Sequence, residues 1–162
     1  MPNLITIFGA TGNLMIKKLL PALASLHGKG HLDEKTKILC IGRQSLTKEA
    51  YINEYVMQVD NPKVKELIDF IEYLEVDLND PVSYEQIMPY LSDKQTMDAV
   101  YYLAVPPTLF PIIAKGLSVC GLVQKGHDNA RIVFEKPFGE DLKSAQEINK
   151  ALWTYFDESQ IY

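Results

Sequence analysis

The chain has 162 residues, 47% hydrophobic and 23% charged, with 16 basic and 21 acidic side chains. That length builds one domain with a full core, without help from disulfides or a structural metal. A formal net charge of -5 offers no basic surface for a phosphate backbone and argues against nucleic acid as a partner. Residues 1–9 (MPNLITIFG) lack the basic region and cleavage site of a signal peptide, and no apolar run nears the ~20 residues of a membrane span. Cys40 and Cys120 lack metal-ligand spacing and sit in apolar runs. They read as reduced core thiols of a cytoplasmic protein, and no metal site is expected.

Five β-rich runs punctuate the chain: Leu4–Phe8, Lys37–Ile41, Phe70–Val76, Ala99–Val105 and Arg131–Phe134. The first, fourth and fifth are nearly continuous apolar or aromatic runs, as in strands buried on both faces of a parallel sheet. Helical patterns separate them. Gly12–His27 carries Leu14, Met15, Leu19, Ala22, Leu23 and Leu26 at three- and four-residue spacing, with Pro21 expected to kink it. Thr47 caps a predicted helix running to about Val59. Asn61–Pro62 and Asp80–Pro81 have the form of caps with first-turn prolines. Thr108–Cys120 and Asp141–Phe156 complete the set. Strands alternating with helices predict an α/β, Rossmann-like doubly wound domain over residues 1–162, with a mainly parallel sheet and helices on both faces.

The first strand runs into Gly9-Ala10-Thr11-Gly12-Asn13-Leu14-Met15-Ile16 and then a helix. Glycine at 9 permits a tight turn, and glycine at 12 lets a backbone approach a pyrophosphate held at a helix N-terminus. The spacing is G-x-x-G with no third glycine, so a plain strand-to-helix turn competes with a dinucleotide loop. The second strand ends in Gly42-Arg43-Gln44. NAD-preferring folds usually place an acid here for the ribose hydroxyl, whereas a guanidinium suits the 2′-phosphate of NADP. Asp77 closes the third strand, Pro106-Pro107 follows the fourth, and Glu135-Lys136-Pro137 follows the fifth, setting a cation on the same rim. Tyr90 and Lys94 have the Tyr-x-x-x-Lys spacing of short-chain dehydrogenases, but precede the fourth strand instead of following the fifth. A stand-alone nucleotide-sensing module and a ligand-free scaffold are the other readings.

In order, Gly9–Leu14, Lys17-Lys18-Leu19-Leu20-Pro21, Gly42-Arg43, Tyr102–Pro107 and Arg131–Gly139 resemble the coenzyme-binding domain of the glucose-6-phosphate dehydrogenase family. The resemblance covers essentially the whole chain, and its Tyr-Leu-Ala-x-Pro-Pro and Glu-Lys-Pro-Phe-Gly blocks are more specific than the glycines. It implies an NADP-dependent oxidoreductase acting on glucose 6-phosphate in the pentose phosphate pathway. By the same resemblance Gly9, Ala10, Thr11, Gly12, Asn13, Leu14, Met15 and Ile16 form the dinucleotide loop. Arg43 and Gln44 take the 2′-phosphate, while Val76, Asp77 and Tyr102 line the cleft. Lys136 touches nicotinamide and sugar phosphate, aimed by a cis bond to Pro137, and Lys18 assists with substrate.

Asn13 and Met15 depart from the family's usual Asp and Ala. Met15 is bulkier where the helix must approach the sheet. In the family a run Arg-Ile-Asp-His-Tyr-Leu-Gly-Lys follows, and the catalytic histidine lies further on in an α+β domain that also makes the oligomer. No catalytic residue is therefore expected among residues 1–162. His27, His31 and His127 read as solvated.

Overall fold

The computed structural model describes residues 3–91 and 98–162. Five short strands form one parallel sheet: β1 (Leu4–Phe8), β2 (Lys37–Gly42), β3 (Ile71–Glu75), β4 (Ala99–Leu103) and β5 (Ala130–Phe134). The order is β3-β2-β1-β4-β5, with Leu4 opposite both Lys37 and Ala99. The chain therefore winds outward from β1 in one direction, then crosses back to build the other half. That reversal leaves a crevice off the carboxyl ends of β1 and β4, the place where such sheets take ligands.

Two apolar layers hold the sheet. On one face Leu4, Phe8, Leu39, Tyr101, Leu103 and Ile132 pack against α3 (Phe110–Val119) and α4 (Leu142–Tyr155). On the other, Ile7, Ile38 and Cys40 pack against α1 (Leu20–Gly28), α2 (Lys48–Tyr51) and the 3-10 turns at Pro62–Leu67. Each fully buried aliphatic or aromatic side chain contributes about 1.5–3 kcal/mol relative to exposure. Tyr84 is fully buried, and its ring lies where a Cβ on Gly116 would stand, so the 3-10 stretch Pro81–Tyr90 can press against α3.

The capping residues behave as their types predict. Side-chain oxygens of Thr47, Asn61, Asp80 and Asp141 accept from Ala50, Lys63, Val82 and Ser144 backbone N–H groups at 2.7–3.2 Å. Several helices differ from expectation. Gly12–His27 is not one kinked helix: Met15–Leu19 is a π-type turn, and α1 begins at Leu20 with Pro21 in its first turn. Pro21 has no N–H to donate, so a wider turn ending just before it removes the conflict that would otherwise kink the helix. The helix capped by Thr47 likewise passes into π-type bonding at Ile52–Val56 and stops there, three residues early.

The sheet also differs. β1 is buried throughout, but β4 and β5 alternate. Val100, Tyr102, Arg131 and Val133 are only half-buried, because the α1 side is incompletely covered over these strands. Arg131 uses that exposure to pair with Asp98 at 2.6 Å. His27 is not simply solvated either, since its ring meets Phe70 edge-on and Nδ1 lies 3.4 Å from Glu66. Cys120 is half-buried, donating its thiol to the Pro81 carbonyl at 2.8 Å. At the end of the chain Gln160 is buried, donating to the Gln124 and His127 carbonyls and accepting from Gly126 and Asp157. This clasp sets Ile161 parallel to Ile132 at the outer edge of β5. Lys94 of the Tyr90–Lys94 pair lies outside the described residues.

Candidate functional site

A cleft of about 330 Å³ opens at the crevice. Its floor is Gly9, Thr11 and Gly12. Its walls are Ile41, Gly42, Arg43, Val76 and Leu78 on one side and Ala104, Val105, Pro106 and Leu109 on the other. The floor takes its shape from β1. Gly9 and Ala10 both donate to the Ile41 carbonyl, at 3.0 and 2.9 Å, which folds the loop back over β2. Gly9 sits at φ +86°, and a Cβ there would fall on the Ala104 carbonyl oxygen. Gly12 closes the turn by donating to Gly9 at 3.0 Å, and helical backbone starts at Asn13. The first helical amides have no intrahelical acceptors and face a position suited to an anion.

Of the fifteen loop-and-rim residues expected from sequence, only part borders this cleft. Gly9, Thr11, Gly12, Arg43 and Val76 do. Ala10 and Met15 are fully buried in the core beside α1, so only their backbones remain available to a ligand. Burial of Met15 also accommodates its bulk beneath the loop. Asn13, Leu14 and Ile16 follow on the helical stretch, outside the cleft lining. Asp77 turns its carboxylate back to accept from Asn79 N–H at 3.0 Å. Tyr102 borders a separate apolar hollow of about 300 Å³ beside α1, with Ile5, Ile7 and Leu23, and its hydroxyl donates to Glu135. Burial and that bond to a carboxylate hold the Tyr102 phenol well above its ordinary pKa, as a neutral donor.

Glu135 also accepts from Lys136 N–H at 3.2 Å, and the Lys136–Pro137 peptide is cis. Lys136 is exposed beyond β5, and Lys18 is exposed on the π-type turn. Arg43 is exposed at the mouth of the cleft and makes no ion pair among the described residues. Gln44 beside it is held at both ends. Its side-chain oxygen accepts from Tyr55 at 2.6 Å and its carbonyl from Tyr73 at 2.7 Å.

Of the apolar walls, Pro106 was singled out from sequence through the double proline, whereas Leu78 and Leu109, and the tyrosines behind Gln44, were not. Among the described residues no cluster of His, Cys, Asp or Glu could hold a metal, and no helix is long and apolar enough to cross a membrane.

The cleft fits a dinucleotide: glycines bring backbone close, flat apolar walls suit a base, and a guanidinium with no ion pair among the described residues stands at the mouth. Comparison with known proteins agrees. The family model for the glucose-6-phosphate dehydrogenase NAD binding domain matches residues 6–162. The glucose-6-phosphate 1-dehydrogenases of Dickeya dadantii (strain 3937) and Bacillus subtilis (strain 168) are 33% and 34% identical, each over 98% of this chain. This chain covers 33% and 34% of those two proteins, so it spans about a third of their length. A solved glucose-6-phosphate dehydrogenase in complex with its substrate glucose-6-phosphate superposes at TM-score 0.84 with 30% identity, covering 98% of this chain and 35% of that one. A glucose-6-phosphate 1-dehydrogenase from Mycobacterium avium gives TM-score 0.86 with 29% identity, covering 99% and 35%.

Proposed function

Since the chain belongs to the glucose-6-phosphate dehydrogenase family, as its nucleotide-binding domain, we propose that it holds NADP for an enzyme that oxidises glucose 6-phosphate to the lactone. The observation that carries this reading is Arg43, a guanidinium with no ion pair among the described residues, at the mouth of a glycine-floored cleft where an NAD-preferring fold would place an acid. Ile41, Val76, Leu78 and Leu109 supply the apolar surface for the base. The backbone of 9–16 supplies N–H groups for the pyrophosphate, and Arg43 with Gln44 takes the 2′-phosphate. Lys136 and Lys18 are the cations on this chain for the sugar phosphate, with Lys136 also close to the nicotinamide. Two free thiols fit a reducing cytoplasm.

When bound, the cofactor supplies the hydride acceptor. The chain's own residues bind and orient it, and Glu135, fixed by Tyr102, holds the strand ends that carry Lys136. Removing the sugar hydroxyl proton needs a base within hydrogen-bond reach. His27, His31 and His127 all lie away from the cleft lining. The 162-residue polypeptide is therefore expected to bind without turning over, and dehydrogenase activity abolished by Lys136→Ala would contradict that.

The direct test is calorimetric titration of the chain with NADP and NAD. Charge-assisted hydrogen bonds contribute about 1.5–3 kcal/mol each, and exposure places Arg43 at the low end. Arg43→Ala should weaken NADP about 10-fold and leave NAD nearly unchanged. Equal affinity of the parent chain for both cofactors, or equal loss of both in the variant, would refute the assignment.

A further inference from the structure

Three tyrosines from three different elements form a continuous stack behind the cleft. Tyr51 lies between Tyr55, at 5.3 Å and 19°, and Tyr73, at 4.7 Å and 22°. Tyr51 comes from α2, Tyr55 from the following π-type turn and Tyr73 from the middle of β3. Their hydroxyls do not point to solvent at random. Tyr51 donates to the Ala10 carbonyl at 2.9 Å, in the loop that floors the cleft. Tyr73 donates to the Gln44 carbonyl and Tyr55 to the Gln44 side-chain oxygen, both in the loop that forms the opposite wall. One rigid aromatic block thus ties the β1 loop to the β2 loop and sets their separation.

The consequence for Gln44 is directional. A side-chain amide can present either an acceptor or a pair of donors to a neighbouring group. With its oxygen engaged by Tyr55, Gln44 keeps its oxygen turned inward, and its nitrogen, unpartnered among the described residues, is the end free to donate. That end stands next to Arg43 in sequence, on an exposed loop. An amide turned the other way would set a carbonyl oxygen against a phosphate.

Building on the NADP reading above, we infer that Tyr55 and Tyr73 are positioning residues for cofactor choice, locking Gln44 so that its amide N–H groups join Arg43 on the 2′-phosphate. Tyr51 anchors the same block to the pyrophosphate loop. None of the three touches the cofactor. Their effect passes through Gln44 and Ala10.

The experiment titrates the 162-residue chain with NADP and with NAD, for the parent, Tyr55→Phe, Tyr73→Phe and Gln44→Glu, following the thermal midpoint of each. Tyr55 is half-buried at the surface, so Tyr55→Phe keeps the ring stack and the fold. Expected is a 3- to 10-fold loss of NADP affinity in Tyr55→Phe and Tyr73→Phe with NAD unchanged. Gln44→Glu should retain the Tyr55 bond yet lose NADP more steeply, because its carboxylate faces the phosphate. A merely structural role would lower both affinities together along with the midpoint, and that result overturns the inference. So does a NADP/NAD ratio in Tyr55→Phe within twofold of the parent. If the parent binds neither dinucleotide, the proposed function falls and this inference with it. If the parent prefers NADP and the ratio survives Tyr55→Phe, only the inference falls.

Discussion

Replacing Gly9 by alanine tests whether the cleft floor depends on a backbone that only glycine adopts. Two costs combine there. The left-handed conformation at φ +86° costs an L-residue about 1–2 kcal/mol. The new Cβ would also fall on the Ala104 carbonyl, so β4 must move away. Its neighbour in that motion is the Ala104 N–H bond to the Phe8 carbonyl at 2.9 Å, worth roughly 1 kcal/mol net. The sum is about 2–3 kcal/mol. For a chain of this size that lowers the thermal midpoint by roughly 4–12 °C.

Gly30 provides the control, because its φ is +71° but nothing lies within 4 Å of its Cβ position. Gly30→Ala should cost only the conformational part, about 1–2 kcal/mol. Differential scanning calorimetry of both variants, with urea titration as a second measure, reads the difference. A Gly9→Ala chain that melts no lower than Gly30→Ala would refute the claim that close approach to Ala104 shapes the floor.

Two further outcomes follow from buried groups. Thr6 is fully buried in mid-β1 and its hydroxyl has no partner among the described residues. Thr6→Val should therefore raise stability by about 1 kcal/mol, seen as a higher urea midpoint at unchanged slope. A lower midpoint would mean the hydroxyl is bonded. Burial pushes the Cys40 thiol from 9.0 up to about 12, so the folded chain keeps it neutral where the unfolded chain ionises it. Unfolding then releases a proton between pH 9 and 12. Stability is fully present below pH 9 and falls as pH rises through that window, with the unfolding constant rising up to about tenfold per pH unit from this group. The segment between pH 9 and 10 should flatten in Cys40→Ala, before the buried tyrosines add their own share. An unchanged slope would argue against Cys40 as its source.

Strand positions were legible because β1, β4 and β5 are nearly continuous apolar or aromatic runs, and caps were legible because Thr47, Asn61, Asp80 and Asp141 have side chains that bond backbone N–H groups locally. Local chemistry does not carry the rest. The π-type turns at Met15–Leu19 and Ile52–Val56 follow from how a helix meets a proline or a packed sheet, which a hydrophobic period cannot express. The half-covered faces of β4 and β5 depend on what packs beside α1, and their apolar runs look the same either way. At the rim, Gly9, Gly12 and Arg43 were visible because their residue types have few other uses at a strand end. Tyr51, Tyr55 and Tyr73 were not, since tyrosines spread over three elements join into one stack only when α2 and the turn after it fold over β3.

The position of β1 governs the order in which the fold can close. It is the first of the five strands in chain order and the middle strand of the sheet, paired on one side with β2 and on the other with β4. As the chain emerges during synthesis, Leu4–Phe8 can find Lys37–Gly42 early, while its second edge waits until Ala99–Leu103 appears. Throughout that interval an apolar strand carries an unsatisfied row of N–H and C=O groups, the type of edge through which chains join one another. Expression yield should therefore respond more to changes that delay β4 than to equal losses of stability in β3, already the outer strand.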